Sequence, residues 1–400
     1  MHLYALPLIF ALAGLAFYTV LAGADFGTGF WELTAGRGKS ADEIRRHAHD
    51  GMAPVWEANH VWLIFVLTIV WTAYPSAFGS IASTLEVPLF IAGIGIVLRG
   101  GAYAVRSDAA SPREQRAVDA VFSISSILTP FALGCAVGGI ASGRVPVGNA
   151  AGNLFTSWLN PTSITIVVLA VAAAAYTAAV FLSADAARHG EGDLAERFRR
   201  RALGAGIAAG AVSLAGVVVL HSDARRLFHG LVHGSGVVAL AASLIFGVAT
   251  LVLVYKRSYE PARYTAAGAV AATIAGWALA QQPVFLPGLS IAQAAAPHDT
   301  QVAVVVVVVA GALILFPSLA LLFRLTLEGR LGHAEAAATS VAPEGGSAIS
   351  TTRAALACLF AGVAFLTIAD SAWAHAIGVT ALLAFVALGY RAALPPEVDP

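Results

Sequence analysis

Apolar residues run along this chain in long stretches, separated by short breaks of polar residues, glycine and proline. No strand pattern interrupts them. A stretch of about 17–25 apolar residues suffices for a helix to cross a hydrocarbon core about 30 Å thick. Stretches of that kind fall near 3–24, 54–74, 77–98, 117–141, 162–184, 202–220, 230–255, 264–281, 302–325, 354–370 and 374–392. The last two are short, with Asp370 between them. The pattern predicts an all-α integral membrane protein with eleven spans.

The basic residues orient these spans, because cytoplasmic loops retain an excess of Lys and Arg. Of the 23 basic residues, 20 fall after the odd-numbered runs or at the C-terminus. The other side carries only Arg144, Arg225 and Arg226. The prediction is an N-terminus outside and a C-terminus inside, and omitting any one span would scramble the asymmetry.

Against this apolar background a few ionisable groups stand out. A charged side chain at the centre of a membrane helix costs about 2.5–3.5 kcal/mol even on the gentlest scale. Asp25 closes the first run, Glu57 and His60 open the second, and Asp119 opens the fourth, all on the cytoplasmic side. Glu57 and His60 are three residues apart and so share a helix face. Glu86 lies about ten residues into the third run, roughly 15 Å deep at about 1.5 Å per residue, and Pro88 should loosen the helix there. Acids stepped by depth in this way suit a proton entry route from the cytoplasm. Two plainer readings stand beside it. The acids near helix ends snorkel to the interface, and Glu86 pairs structurally with Ser80, Ser83 or a neighbouring arginine.

Composition supports the membrane assignment. Hydrophobic residues make up 58%, charged residues 12%, and mean hydropathy is +0.79, against about 25% charged in soluble domains. Zero net charge gives a nucleic-acid partner no electrostatic support. Cys135 and Cys358 are far apart within apolar runs and read as small core residues. His221, His229 and His233 gather near the outer face beside Arg225 and Arg226 and read as interfacial. An i, i+4 pair suits a small metal ion better than haem. His60 stands beside the buried acids, where hydrogen bonding to Glu57 is a simpler role than haem ligation. The Met1–Leu21 run lacks a cleavage pattern and reads as a mature helix. Residues 331–352 read as a polar linker.

Two stretches carry a resemblance. Ala22-Gly23-Ala24-Asp25-Phe26-Gly27-Thr28-Gly29 resembles the D-G-F-D-x-G-x-G motif that ends helix 1 in subunit II of the cytochrome bd-type quinol oxidases. Pro54-Val55-Trp56-Glu57-Ala58-Asn59-His60-Val61-Trp62-Leu63 resembles that family's P-x-W-D-G-N-x-x-W-L motif in helix 2. Arg99-Gly100 with Arg106 at the end of helix 3 also fits. Weaker echoes are Pro130, Gly134 and Gly138, then Asn160-Pro161, then Pro283 to Pro287. The likeness spans about residues 1–326.

The resemblance implies a nine-helix subunit in the bacterial plasma membrane, paired with a homologous subunit I that carries haem b and haem d, or b-type haems. Such a complex oxidises quinol and reduces dioxygen to water, and subunit II ligates no haem. Carried over by position, Glu57 and Asp25 take the places of acids associated with proton uptake. His60 and Glu86 join them as candidates, with Trp56, Asn59, Trp62, Gly27 and Gly29 as supports. The chain also departs from the pattern. Ala22 replaces the first helix 1 aspartate, Glu57 and Ala58 replace an Asp-Gly pair, and His60 adds a titratable group. The organisation expected is an oxidase-like membrane domain over 1–326, a cytoplasmic linker over 327–352, an extra transmembrane hairpin over 353–392 and a tail over 393–400. The extra hairpin is expected to cover a lipid-facing groove.

Two other functions fit the composition. A secondary transporter would couple a substrate to protons at Glu86, and a scaffold would only hold a catalytic partner in lipid. Four-electron oxygen chemistry needs a cofactor, so the chain alone is not expected to be catalytic.

Overall fold

The computed structural model describes the backbone of residues 2–106, 111–327, 347–368 and 371–393. It describes their side chains except at 49–58, 112, 319–327, 347–353, 363, 366–368, 372, 375 and 389–393. Two units are distinguished, Met1–Val308 and Val309–Pro400.

The first unit opens with α1 (Leu6–Leu33), α2 (Lys39–Ala73), α3 (Pro75–Thr84) and α4 (Glu86–Val105). There follow α5 (Pro112–Ala141), α6 (Pro161–Arg188), α7 (Gly192–Asp223), α8 (Arg225–Val232), α9 (Gly236–Tyr255) and α10 (Tyr259–Gln281). A small hairpin of β1 (Val284–Leu286) and β2 (Leu289–Ser290), turning at Gly288 with φ +80°, leads into the short α11 (Ile291–Ala294). The last helix, α12 (His298–Leu327), runs across the boundary between the units. The second unit also holds α13 (Ser347–Ile368) and α14 (Ala372–Ala393), which pack together. In that pair a Cβ on Gly362 would lie 2.7 Å from the Leu382 side chain.

Local chemistry sets the helix ends. Ser111 forms a reciprocal capping box with Glu114, and Asn160 accepts from the Ser163 N–H at the head of α6, each satisfying amides that lack an intrahelical partner. Pro7, Pro75 and Pro161 sit in first turns, where a missing N–H costs nothing. Seven helices among the described residues are long and apolar enough to cross a membrane. They lie within or across α1, α4, α5, α6, α7, α9 and α12.

Three boundaries differ from the apolar runs in a way that moves the candidate site. Helix α1 continues through the glycine-rich stretch to Leu33, so Asp25 is inside a helix and not at its end. Helix α2 begins at Lys39, well before the apolar run, because a polar helical turn needs no lipid. The third run is broken at Leu85 (φ −107°, ψ 25°). Glu86 is therefore the first residue of α4 and not the middle of a continuous helix. The break falls before Pro88, whose ring is accommodated in the first turn of α4. The seventh run is divided too, so His229 lies on α8 and His233 caps it. Of the expected linker, residues 328–346 lie outside the described residues, and α13 starts at Ser347.

Helix α1 is the axis of the first unit, packing on α2, α5, α6 and α10. Close approach is possible because the motif glycines have no side chain. A Cβ on Gly27 would lie 2.0 Å from the Ala174 carbonyl oxygen, and one on Gly29 2.3 Å from Ser126 Cβ. At the end away from most basic residues, the buried Tyr74 hydroxyl donates to the Tyr4 carbonyl at 2.6 Å and accepts from the Leu8 N–H at 2.9 Å. On the same side Asp223 accepts from both Arg144 Nη atoms at 2.7 and 3.0 Å, and from the Thr162 hydroxyl at 2.6 Å. These bonds join the 142–160 loop to α6 and α7. The hydrogen bonds to Asp223 raise the pKa of the Arg144 guanidinium.

Candidate functional site

Along one stripe of α1, Tyr18, Asp25 and Glu32 recur every seventh residue and are 5%, 2% and 3% exposed. Seven residues are about two turns, roughly 10.5 Å of axial rise, so these side chains stack above one another. The neighbouring helices repeat the spacing. Helix α4 carries Arg99 and is capped by Arg106, and α5 carries Asp119 and Ser126. The result is two polar layers between three helices otherwise made of apolar residues.

The inner layer is built on Asp25. The Arg99 guanidinium donates to its carboxylate, to its backbone carbonyl at 3.0 Å, and to the Ser126 hydroxyl. Asn59 on α2 donates its amide to the second carboxylate oxygen at 3.0 Å. Phe26 and Phe122 flank the guanidinium, with ring centroids 5.1 and 4.1 Å from Cζ. Arg99 and Asn59 are both buried. A buried charge is tolerable only when paired and hydrogen-bonded, and Asp25 with Arg99 meets both conditions. Two buried atoms of this layer have no hydrogen-bond partner, Arg99 Nε and Asn59 Oδ1, and neither has the Tyr18 hydroxyl two turns further along α1.

The outer layer lies toward the ends of α1 and α4 and the start of α5. Arg106 Nε is 3.1 Å from Asp119 Oδ1, with the two side chains 22% and 34% exposed. Glu32 lies within electrostatic reach of Arg106, Arg99, Asp119 and Arg45. It is buried, and its Oε1 has no partner.

The residues expected from sequence fall into three groups. Asp25 and Asn59, one from each motif, are bonded together, with Gly27 and Gly29 allowing the approach of α6 and α5. Trp62 supports the α1–α2 contact by stacking on Phe17 at 4.7 Å. His60 is half-buried on α2, directly after Asn59. The side chains of Glu57 and Trp56 lie outside the described residues. Glu86 is apart from the cluster and exposed. Its suggested serine partners are committed elsewhere. Ser80 donates to the Ser76 carbonyl and accepts from the Gly148 N–H, while Ser83 donates to the Gly79 carbonyl and accepts from the Ala150 N–H. Asp119 belongs with Arg106 in the outer layer. Neither motif points to Glu32 or to the role of Arg99, and the sequence signal for Glu32 is its seven-residue spacing from Asp25.

Among the described residues no cluster of three or more His, Cys, Asp or Glu side chains could hold a metal ion. A cavity of about 550 Å³ is lined by α1, α2, α3, α4, α5 and α10, with β1 and α11. Its lining is aliphatic and aromatic with Gln281 and Gln282 at one end, and it includes no His, Cys or Met. It does not fit a ligated haem, for which iron needs an axial side chain.

Comparison with known proteins agrees with this architecture. The sequence profile of the family described as "Cytochrome bd terminal oxidase subunit II" matches residues 3–326. The cytochrome bd ubiquinol oxidase subunit 2 of Bacillus subtilis is 28% identical over 114 residues, 28% of this chain and 33% of that protein. The cytochrome bd-I ubiquinol oxidase subunit 2 of Escherichia coli is 27% identical over 126 residues, 32% of each chain. These alignments span about a third of the relatives' length. In three dimensions, a chain of the bd oxidase from Geobacillus thermodenitrificans is similar with a TM-score of 0.64 at 25% identity. That match covers 82% of this chain and 99% of the other.

Proposed function

The chain belongs to the cytochrome bd terminal oxidase subunit II family, and from that premise we propose that it carries protons from the cytoplasm within a quinol-oxidising, oxygen-reducing complex. It is a multi-pass protein of the bacterial inner membrane. In this reading it also stabilises a haem-bearing subunit I and is not catalytic alone. Haem b and haem d, or b-type haems, held by that partner supply the oxygen chemistry, and quinol supplies the electrons. This chain's own residues bind the partner and move protons.

The observation that carries the reading is the buried Asp25–Arg99–Asn59 cluster, which joins the two motif helices inside the membrane-spanning bundle. Structural residues alone would have no need of ionisable groups there, since an apolar packing of the same volume is at least as stable. Asp25 is the inner acid of the route. Glu57 and His60 on α2, two residues before and one after Asn59, are the groups that exchange protons with it. Glu86, exposed at the head of α4, is the acid that would meet the partner.

One observation favours a second reading, in which the chain is only a scaffold: Asp25 is already neutralised by Arg99. The assembled complex distinguishes the two. Glu57→Gln and Asp25→Asn should each slow oxygen consumption while haem absorbance per complex is retained. Wild-type turnover in both would leave the scaffold. A colourless protein that purifies without a haem subunit would favour a proton-coupled transporter instead.

A further inference from the structure

We infer that Glu32, a residue outside both motifs, is the proton-loading carboxylate of this subunit, taking protons at the cytoplasmic mouth and handing them inward to the Asp25 layer. The inference rests on the proton-delivery reading and adds a residue and a direction to it.

Burial and bonding set Glu32 apart from the other acids. Asp25 has Arg99 and Asn59 on its two oxygens, and Asp119 has Arg106. Glu32 is only 3% exposed, makes no ion pair among the described residues, and leaves Oε1 without a partner. An unsatisfied buried oxygen is costly. A fold retains one when it bonds to internal water or when the group is needed for its chemistry. An acid of this kind can accept a proton without first breaking a salt bridge, which Asp25 cannot do.

Position gives the direction. The half-exposed Arg106–Asp119 pair forms the mouth, Glu32 lies behind it, and the sealed Asp25–Arg99 pair is two helical turns deeper on the same stripe. Tyr18, two turns deeper again, presents another unpartnered hydroxyl. The unpartnered atoms thus fall on three levels: Glu32 Oε1, then Arg99 Nε and Asn59 Oδ1 in the Asp25 layer, then Tyr18 Oη. Their spacing requires intervening water for proton transfer. Each cycle is balanced: the Glu32 carboxylate gains one proton from cytoplasmic water, releases it to water on the Asp25 side, and returns to its anionic form.

The charged groups facing Glu32 are Arg99 from α4, Arg106 at its C-cap, Asp119 from α5 and Arg45 from α2, with Asp25 on its own helix. Cations and acids both face the carboxylate, so neither its protonated nor its anionic form is left without a stabilising neighbour.

The test uses the whole oxidase complex, with haem absorbance as the measure of assembly. Glu32→Gln keeps size and hydrogen-bonding capacity but cannot carry a proton. It should lower kcat by about tenfold or more, in line with the loss of a positioned proton-transfer group. The solvent deuterium isotope effect should rise while KM for quinol stays constant. A purely structural Glu32 would alter stability without changing the isotope effect. A wild-type kcat in E32Q alongside a slow Asp25→Asn overturns the role of Glu32 and leaves proton delivery standing. Wild-type turnover in both variants overturns both. If E32Q does not assemble, Glu32→Asp decides, because it keeps the acid but withdraws it by one methylene. A slowed kcat with a raised isotope effect supports the inference, and unchanged values of both overturn it.

Discussion

Arg99 on α4 reaches across to Asp25 on α1 and binds both its carboxylate and its backbone carbonyl. The two residues are 74 positions apart in sequence and nearly inaccessible, at 1% and 2% exposure. Their pairing fixes the relative height of α1 and α4, and with it which polar groups share a layer.

Removing one member of this pair should therefore damage the fold more than removing both. Arg99→Leu strands a buried carboxylate, at a cost of about 3–5 kcal/mol, and should sharply lower the thermal stability of the purified complex. Adding Asp25→Asn to that variant should recover part of the loss, the non-additivity expected of groups in contact. Arg99→Lys should not rescue, because an ammonium cannot bind the Asp25 carboxylate, the Asp25 carbonyl and Ser126 with one rigid fork. Additive losses in the double variant would show that the pair is energetically unimportant.

The glycines of the first motif give a second prediction, independent of charge. Gly27→Ala would place a methyl carbon 2.0 Å from a backbone oxygen of α6, where nothing flexible can yield. Overpacking of this kind typically costs about 1–3 kcal/mol, and here α1 and α6 must separate. Gly36, where a Cβ meets nothing within 4 Å, has φ +87° and would be strained by its backbone alone. Gly93 has neither constraint, so Gly93→Ala is the control. Thermal inactivation should rank Gly27→Ala well below Gly93→Ala, and equal stabilities would contradict the close α1–α6 contact.

Much of this was readable in the chain, and the failures have a common cause. Apolar run length marks what must be in lipid, and so the membrane class and most of the helices follow from it. It says nothing about where a helix continues into water, which is why α1 and α2 extend past the runs through Glu32 and from Lys39. The end of an apolar run is not the end of its helix, and Glu32 lies on α1 beyond the run that marks it. Asp25 and Asn59 are legible as motif members, but their bond depends on the crossing of α1 and α2, a tertiary fact. The exposure of Glu86 follows from the break at Leu85, at a residue pair with no glycine and with its proline two positions later.

A third prediction concerns the opposite side of the bundle. Asp223 accepts two bonds from Arg144, with a further two from the Thr162 N–H and hydroxyl. Asp223→Asn keeps the shape but loses the charge-assisted bonds, each worth more than a neutral one. The 142–160 loop should then detach more often from α6 and α7, and limited proteolysis within it should accelerate severalfold. Oxygen consumption should stay near wild type, because the cluster is far along the bundle from Asp25 and touches none of its partners. An unchanged cleavage rate would mean that the loop is held by its apolar contacts, chiefly Val145 and Trp158 in the core.

The last prediction turns on Glu86, the exposed acid at the head of α4. An N-terminal position suits a carboxylate, since the helix dipole favours negative charge there by about 0.3–1 kcal/mol. A charge facing lipid costs up to roughly 2.5–3.5 kcal/mol at the centre of a span, and Glu86 opens its span instead of sitting at the middle, so the dipole alone does not say what covers it. Either water or a polar group of a partner must cover it. Glu86→Leu separates lipid from protein as its surroundings. Against lipid, the substitution removes an unfavourable charge and should stabilise the purified complex. Against a polar partner surface, it strands whatever group Glu86 satisfies, and less haem-bearing subunit should be retained during purification. The second outcome is expected, and the haem-to-protein ratio of E86L relative to wild type measures it. A ratio equal to wild type with raised thermal stability would put Glu86 in lipid and remove it from any proton route.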